Sequence, residues 1–172
     1  MTQQATLLDG IIDSYVSPPD DPAGRARTLA VLRAWEQAIE TKDLALIESL
    51  MHENIVIELP FSESGRTDPG QYRVFKGIAA CLEFWRVAFS LEGEIRPFSD
   101  LDLTLNPDGS RLFLEMRGDL TMQSGAEYRN RYVVRMDILD GKVLWNREYY
   151  NPIVSARAFG RPIAGQFMLE DN

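Results

Sequence analysis

The chain has 172 residues, a formal net charge of −8 and a pI near 4.7. This length fits one domain, and the acidity argues against nucleic-acid binding and polybasic membrane anchoring, since both need a basic face. No apolar run reaches the roughly 18 to 20 residues that cross a bilayer. Asp9 and Asp13 interrupt the apolar N-terminal stretch, which has no basic lead and does not resemble a signal peptide. We expect a cytoplasmic protein that binds neither nucleic acid nor a membrane.

Cysteine and histidine each occur once, as Cys81 and His52. One cysteine cannot form an internal disulfide, and its apolar helical surroundings predict a buried packing role. His52 lacks the HxxxH or HExxH companion of a metal site, and no P-loop or dinucleotide-binding glycine motif is present. We therefore expect no metal and no cofactor.

The first part of the chain has helical periodicity. Residues 5–16 are weakly helical and lead into a proline-rich loop at 17–22. An amphipathic helix is predicted from Ala23 to about Lys42, because apolar residues recur there at spacings of three and four. Asp43 is a suitable N-cap for a second, short helix.

The period then changes to two, which predicts strands. Residues 54–61 and 71–77 read as strands, and 77–90 has helical spacing again. Four strand-like runs follow, at 94–105, 110–122, 127–139 and 142–150. Short turn signals separate the last three, which predicts an antiparallel meander with the helices on one face. This is an α+β architecture.

The order of these elements and several local motifs resemble the SnoaL-like and ketosteroid-isomerase-like branch of the nuclear transport factor 2-like superfamily. The motifs are IVIELPF at 55–61 and VFKGIAACLEFW at 74–85. Residues 131–160, with the NREYYNP motif at 146–152, resemble the end of the phenazine-biosynthesis A/B proteins. The resemblance implies a cone-shaped fold, with a curved, mostly antiparallel sheet wrapped around N-terminal helices and an apolar pocket.

We accordingly divide the chain into three parts: an N-terminal extension at 1–22, the cone domain at 23–160 and a C-terminal tail at 161–172. The resemblance also implies site residues. In the phenazine A/B proteins the glutamate of the motif is a pocket acid/base and a tyrosine on the preceding strand lines the pocket; Glu148 and Tyr132 match them.

Two catalytic residues of related proteins do not carry over. Ile78 stands where the phenazine proteins have a histidine, and Leu59 stands where ketosteroid isomerases have their general-base aspartate. The resemblance therefore does not extend to phenazine ring condensation, or to steroid isomerisation by that aspartate.

Strict alternation along the last strand would place Leu144, Asn146, Glu148 and Tyr150 on one face and Arg147 on the other, and the resemblance implies that the face of Glu148 is the pocket side. An apolar pocket disfavours the ionised carboxyl of Glu148 and should raise its pKa towards neutrality. With the Tyr132 hydroxyl as a donor, such an acid can move a proton in a ketone or enol. The other predicted substrate-binding residues are Trp35, Leu59, Phe75, Ile78, Trp85, Met116, Asn146 and Tyr150.

Three functions remain open. The first is a cofactor-free acid–base enzyme, of isomerase, cyclase or dehydratase type, acting on a small apolar carbonyl or polyketide-like compound. The second is a non-catalytic small-molecule binding protein, in which Glu148 pairs with an arginine or is satisfied by Asn146 and Tyr132. The third is a protein-interaction module.

Other residues carry structural predictions. Aromatic side chains at Phe113, Trp145 and Tyr149 alternate with charges on the face away from the helices, which predicts a homodimer through the sheet. Glu58 is expected in an outward ion pair and Asp119 in solvent or an interface. The residues predicted to be buried beneath the helices are Leu112, Leu114, Met116, Val134, Met136 and Leu144.

Overall fold

The computed structural model describes residues 7–61, 65–68 and 70–162. Most of the predicted C-terminal tail lies outside these residues. Five helices and six strands are found in the described ranges, which confirms the α+β class. In chain order they are α1 (Leu7–Ser14), α2 (Pro22–Thr41), α3 (Leu44–Leu50), β1 (Met51–Leu59), β2 (Arg73–Lys76), α4 (Ile78–Leu91), β3 (Glu92–Leu105), β4 (Arg111–Met122), β5 (Glu127–Leu139), β6 (Lys142–Tyr150) and α5 (Pro152–Ala158).

The six strands form one curved, unclosed sheet in the order β2-β1-β6-β5-β4-β3. The pairs β3–β4, β4–β5 and β5–β6 are the predicted antiparallel meander, while β1 and β6 run parallel. Asp140 and Gly141 have φ angles of 51° and 71° in the β5–β6 turn. Positive φ at both central residues is the backbone conformation that the Asp-Gly signal predicts for a tight hairpin.

Helices α2 and α4 cover the concave face of the sheet. Trp35 of α2 and Trp85 of α4 meet edge to face, with ring centroids 5.9 Å apart, and both belong to the main core cluster. Helix α2 begins with Pro22 in its first turn, and Lys42 ends it in the left-handed conformation. The Asp43 side chain caps α3 by accepting a hydrogen bond from the Leu46 amide at 2.9 Å, as predicted.

One close backbone contact fixes α2 against the sheet. The Thr28 hydroxyl donates to the Gly109 carbonyl in the β3–β4 turn at 2.6 Å. A Cβ on Gly109 would lie 2.5 Å from the carbonyl carbon of Gly24, and Gly109 also has a φ of 77°. Only glycine meets both requirements, because L side chains rarely adopt this φ and the space is occupied.

A β-bulge in β6 corrects the predicted alternation. Ile138 pairs with Val143 and Asp137 with Trp145, so Leu144 has no partner across the strand. The extra residue shifts the facing pattern by one. Val143 is therefore fully buried on the concave side, and the prediction that Leu144 is buried there is wrong, because Leu144 keeps partial exposure.

Beyond the bulge the alternation holds. Asn146, Glu148 and Tyr150 lie opposite Met136, Val134 and Tyr132, all on the concave face. Of the other residues predicted beneath the helices, three are buried and two are partly exposed: Leu112, Val134 and Met136 are buried, whereas Leu114 and Met116 are not fully covered.

Helix α5 (Pro152–Ala158) was not predicted from sequence periodicity. The Asn151 side chain accepts hydrogen bonds from the amides of Ile153 and Val154 at 3.0 and 3.4 Å, and Pro152 occupies the first turn. The Asn130 side chain also holds the start of this helix, since its Nδ2 donates to the Asn151 carbonyl at 3.0 Å. Asn151 followed by Pro152 is a sequence pattern that indicates a helix N-terminus.

The convex face carries a partly buried ion pair and exposed apolar side chains. Arg147 Nε donates to Glu58 at 2.6 Å, and the Trp145 indole donates to the same carboxylate at 3.2 Å. The ion pair predicted for Glu58 is thus present, but Glu58 is only 7% exposed. Phe113 and Val133 are exposed on this face. Asp119 pairs with Arg96 and Arg129.

Removing the buried Met136 side chain should destabilise the protein substantially. Met136→Ala is expected to cost about 2 to 5 kcal/mol of unfolding free energy, because it enlarges a space under the helices. Leu139→Ala on the same strand is the control: that residue is 45% exposed, and its loss should cost about 0.5 kcal/mol or less. Urea denaturation measures both; equal costs would contradict the assigned faces.

Homodimer formation through the convex face stays a prediction. Sedimentation equilibrium at micromolar concentration should give about twice the 19.5 kDa of one chain. Phe113→Arg should shift the species to the single-chain mass while the circular dichroism spectrum stays unchanged, since an unpaired charge at an apolar interface opposes association. A wild-type protein with the mass of one chain at this concentration would rule the dimer out.

Candidate functional site

An apolar cavity lies between the two covering helices and the concave face of the sheet. Its volume is about 160 Å³, and a largely apolar wall with a few polar groups is typical of small-molecule sites. Most of its lining is aliphatic or aromatic; the ionisable and amide side chains are Glu36, Asn146 and Glu148. The apolar lining consists of Leu32, Trp35, Ile39, Trp85, Phe98, Leu101, Leu103, Leu112, Leu114, Met116, Val134 and Met136.

A second cavity adjoins it, and we call it the polar cavity because more of its lining side chains are polar or ionisable. Glu148 and Trp85 line both cavities, so these two side chains form the boundary. Besides Glu148, the polar cavity is lined by one further carboxyl, three tyrosines and two arginines. These residues are Glu92, Tyr128, Tyr132, Tyr150, Arg73 and Arg161.

The side-chain carboxyl of Glu148 has a raised pKa. Burial raises the pKa of its carboxyl to about 7, the neighbouring Glu92 adds to the increase, and Arg73 opposes it. The side chain keeps some accessible surface, which faces the cavities. Arg147 does not offset this effect, because strand alternation turns it to the convex face, where it binds Glu58. Glu148 can therefore take up or release a proton near neutral pH.

Glu92 is a second acid in the polar cavity. Burial raises its pKa to about 7, and the positive charge of Lys42 opposes the increase. Lys42 donates to the backbone carbonyls of Glu92 and Gly93, the latter at 2.7 Å. Sequence reasoning missed Glu92 because it lies at the junction of α4 and β3, where neither helical nor strand periodicity indicates a direction.

The tyrosines of β5 are hydrogen-bond donors at neutral pH. Burial raises the pKa of Tyr132 well above 10 and that of Tyr128 to about 12, and their hydroxyls are hydrogen-bonded to each other. Asn130 Nδ2 donates to the Tyr128 hydroxyl at 3.2 Å. Tyr128, Asn130 and Tyr132 occupy alternate positions of β5 and therefore share one face. The prediction of Tyr132 as a pocket residue thus also indicated Tyr128.

The predicted site residues divide between the two cavities. Trp35, Met116 and Asn146 line the apolar cavity, and Leu59, Tyr132 and Tyr150 line the polar one. Trp85 and Glu148 line both. Phe75 and Ile78 lie outside both linings and pack against the core, where the Phe75 ring contacts the Phe84 ring with centroids 4.8 Å apart.

Other chemistry-bearing groups are sparse in the described part of the chain. Cys81 is fully buried, and burial raises the pKa of its thiol to about 11, in keeping with a packing role. Across residues 7–61, 65–68 and 70–162, no set of three or more His, Cys, Asp and Glu side chains is arranged to hold a metal ion. No helix in these ranges has the length and apolarity to span a bilayer.

The two raised carboxyl pKa values predict a stability that falls as pH rises. Glu92 and Glu148 prefer the protonated form in the folded state, so their favourable contribution is complete below about pH 4.5 and is lost through about pH 7. The expected decrease is up to about 1.4 kcal/mol per pH unit for each carboxyl. Urea denaturation across this range measures it.

Glu148→Gln should reduce that slope, because glutamine does not titrate. Asp119, whose pKa is lowered by its hydrogen bond with Arg96, loses its contribution at lower pH and does not affect this range. A wild-type unfolding free energy that stays constant over the range would contradict the assigned pKa values.

One curated relative and several solved structures are similar to this chain. A curated relative, the uncharacterized protein YesE of Bacillus subtilis, is 24% identical over 141 residues, which cover 76% of this chain and 92% of YesE. A crystal structure of a candidate isomerase from Bacillus subtilis matches with a TM-score of 0.70 and 23% identity, over 81% of this chain and 97% of that one.

A phenazine biosynthesis-related protein from Pseudomonas aeruginosa matches with a TM-score of 0.63 and 17% identity, over 95% of this chain and 99% of that one. At these identities the structures establish the fold. Residues 32–145 match the SnoaL-like domain, a match that ends just before Glu148. That match covers most of the cone, and the chain belongs to the SnoaL-like domain family.

Proposed function

We propose that this protein is an acid–base enzyme of isomerase, cyclase or dehydratase type that acts on a small apolar carbonyl compound. The observation that carries the proposal is the position of Glu148. Its carboxyl lies at the boundary of the apolar and polar cavities and has a pKa of about 7. A general base or acid works best when its pKa is close to ambient pH.

The two cavities favour one orientation of the substrate. The apolar body fits the apolar cavity, and the carbonyl oxygen extends past Glu148 towards the polar cavity, where Tyr132 can donate a hydrogen bond. Tyr132 stays protonated at neutral pH because burial raises its pKa well above 10. A hydroxyl donor at the developing enolate oxygen stabilises the negative charge that forms there.

The proton transfer has two steps. The ionised Glu148 carboxylate removes a proton from the carbon next to the carbonyl, and the electron pair of that bond moves to the oxygen as an enolate. The neutral carboxyl then returns the proton to a different carbon or assists departure of a leaving group. Glu148 is partly ionised at neutral pH, so it can act in both steps.

A second function, ligand binding without turnover, has its own support. Leu59 and Ile78 replace the catalytic aspartate and histidine of the resembled proteins. Leu59 lines the polar cavity, so the replacement makes that wall apolar. A binding protein would use the same apolar cavity and would hold Glu148 as a neutral hydrogen-bond donor.

Substitution of Glu148 separates the two functions. Small cyclic enones and epoxides are first screened for thermal stabilisation, and the compounds that stabilise the protein are assayed for turnover. Glu148→Gln keeps the shape of the side chain and removes its titration. It should leave affinity nearly unchanged and lower turnover by about 100-fold or more, a typical general-base contribution.

Glu83→Gln is the matched control, because Glu83 is exposed on α4 and pairs with Arg86. This variant should turn over substrate at the wild-type rate. The wild-type kcat/KM should also change with an apparent pKa near 7 that the Glu148 variant lacks. Wild-type turnover by Glu148→Gln would show that Glu148 is not the proton shuttle.

A further inference from the structure

Helix α1 and the two residues after it expose a set of large apolar side chains. These side chains are between 61% and 92% exposed and belong to Leu7, Leu8, Ile11, Ile12, Tyr15 and Val16. The four that lie within α1 share one side of the helix, and Asp13 lies on the opposite side, so α1 is amphipathic. Isolated helices shorter than about 12 to 15 residues are only marginally stable in water. A helix of 8 residues therefore needs a surface to pack against.

The mouth of the apolar cavity is such a surface. Helix α2 and strand β3 run antiparallel beside it: the Asp21 amide donates to the Pro107 carbonyl at 3.0 Å at one end, and Lys42 donates to the Gly93 carbonyl at 2.7 Å at the other. Between these ends the cavity opens to solvent, because Leu103 lines it and is 39% exposed. We call this opening the α2–β3 groove; its walls are Leu32, Glu36 and Ile39 of α2 and Leu101 and Leu103 of β3.

The start of α2 places α1 within reach of this groove. Residues 15–20 connect Ser14 to Asp21, which is held at the Pro107 end of the groove. Two of these residues are prolines, and an extended proline-rich segment of this length spans about 20 Å. Leu103 lies four positions before Pro107, or about 13 Å along the strand. Helix α1 is about 12 Å long, so it can lie along the groove without any change in α2.

Two other partners suit α1 less well. Helices that bind at membrane surfaces carry lysine and arginine on their polar side, and residues 1–16 contain neither. A second copy of the chain offers the same groove. The groove of the same chain is joined to α1 by a short linker, however, and such a link raises the effective concentration to the order of millimolar.

We propose that α1 docks into the α2–β3 groove of its own chain and closes the mouth of the apolar cavity. Its apolar side packs on Leu101 and Leu103, Asp13 stays in solvent, and residues 15–20 are the tether. The structure shows the undocked arrangement, in which the groove is open. Docking separates the cavity from bulk water and retains a bound molecule, the role of a lid. This role is the same whether that molecule is converted or only bound, so the inference goes beyond the proposed function.

Disulfide formation in the full chain tests the docking. Ile11→Cys is combined with Leu103→Cys, and the control combines Ile11→Cys with Phe113→Cys. Phe113 is a matched control because it is 41% exposed and pairs with Thr104, next to Leu103, but lies on the convex face. The native Cys81 is fully buried and does not compete. The Leu103 pair should oxidise within one chain at least about tenfold faster than the Phe113 pair, because docking concentrates one thiol at the other. Non-reducing electrophoresis and peptide mass spectrometry measure this rate.

Hydrogen exchange tests the docking with the sequence of α1 intact. In the wild type, the α1 amides should exchange at least about tenfold more slowly than in an unstructured chain, because a docked helix is protected. Leu103→Asp should remove this protection, since it places a charge in the groove, and Phe113→Asp should leave it unchanged. Both residues are partly exposed, so both variants should keep the circular dichroism spectrum of the wild type.

Three results would overturn the inference. A disulfide between two chains would show that α1 binds a second copy. Equal oxidation rates for the two cysteine pairs would show that α1 has no preference for the groove. Exchange of the α1 amides at the unstructured rate in the wild type would show that α1 stays undocked. None of these measurements involves turnover or Glu148, so failure of the proposed function leaves them unaffected.

Discussion

Strand β6 keeps a cation and an acid on opposite faces of the sheet, and the chemistry of the site depends on that separation. Arg147 and Glu148 are adjacent in the chain, yet alternation turns the arginine to the convex face. The parallel pairing of β1 with β6 places Glu58 directly opposite Arg147, and the two side chains form an ion pair at 2.6 Å. Glu148 is therefore left in the cavity without its neighbour's positive charge.

The surroundings of Glu148 follow from this arrangement. Its burial, together with the charge of Glu92, raises the pKa of a carboxyl that a salt bridge would have lowered. The side chain borders an apolar cavity under α2 and α4 and a polar cavity with the tyrosines of β5. Together, these features support the proposal that the cone binds one small molecule beside one titratable acid.

Periodicity predicted most of the helices and strands, because burial of one face imposes regular spacing, and the resemblance implied which face of β6 is the pocket side. Periodicity failed only at single irregular positions. The bulge at Leu144 exchanged the positions of Leu144 and Val143, since an inserted residue breaks a period of two. Glu92 could not be predicted, because its direction is set by the junction of a helix and a strand. The boundary role of Trp85 depends on how α4 packs across the sheet, which spacing alone does not determine.

The most direct test of this account is the pKa of Glu148 itself. The side-chain carboxyl ¹³C resonance of the labelled protein, assigned by its loss in Glu148→Gln, can be followed through a pH titration. The account predicts a midpoint near 7, because burial and the charge of Glu92 outweigh the effect of Arg73. A midpoint close to the reference value of about 4.3 would show that Glu148 is an ordinary ionised carboxylate and would contradict the account.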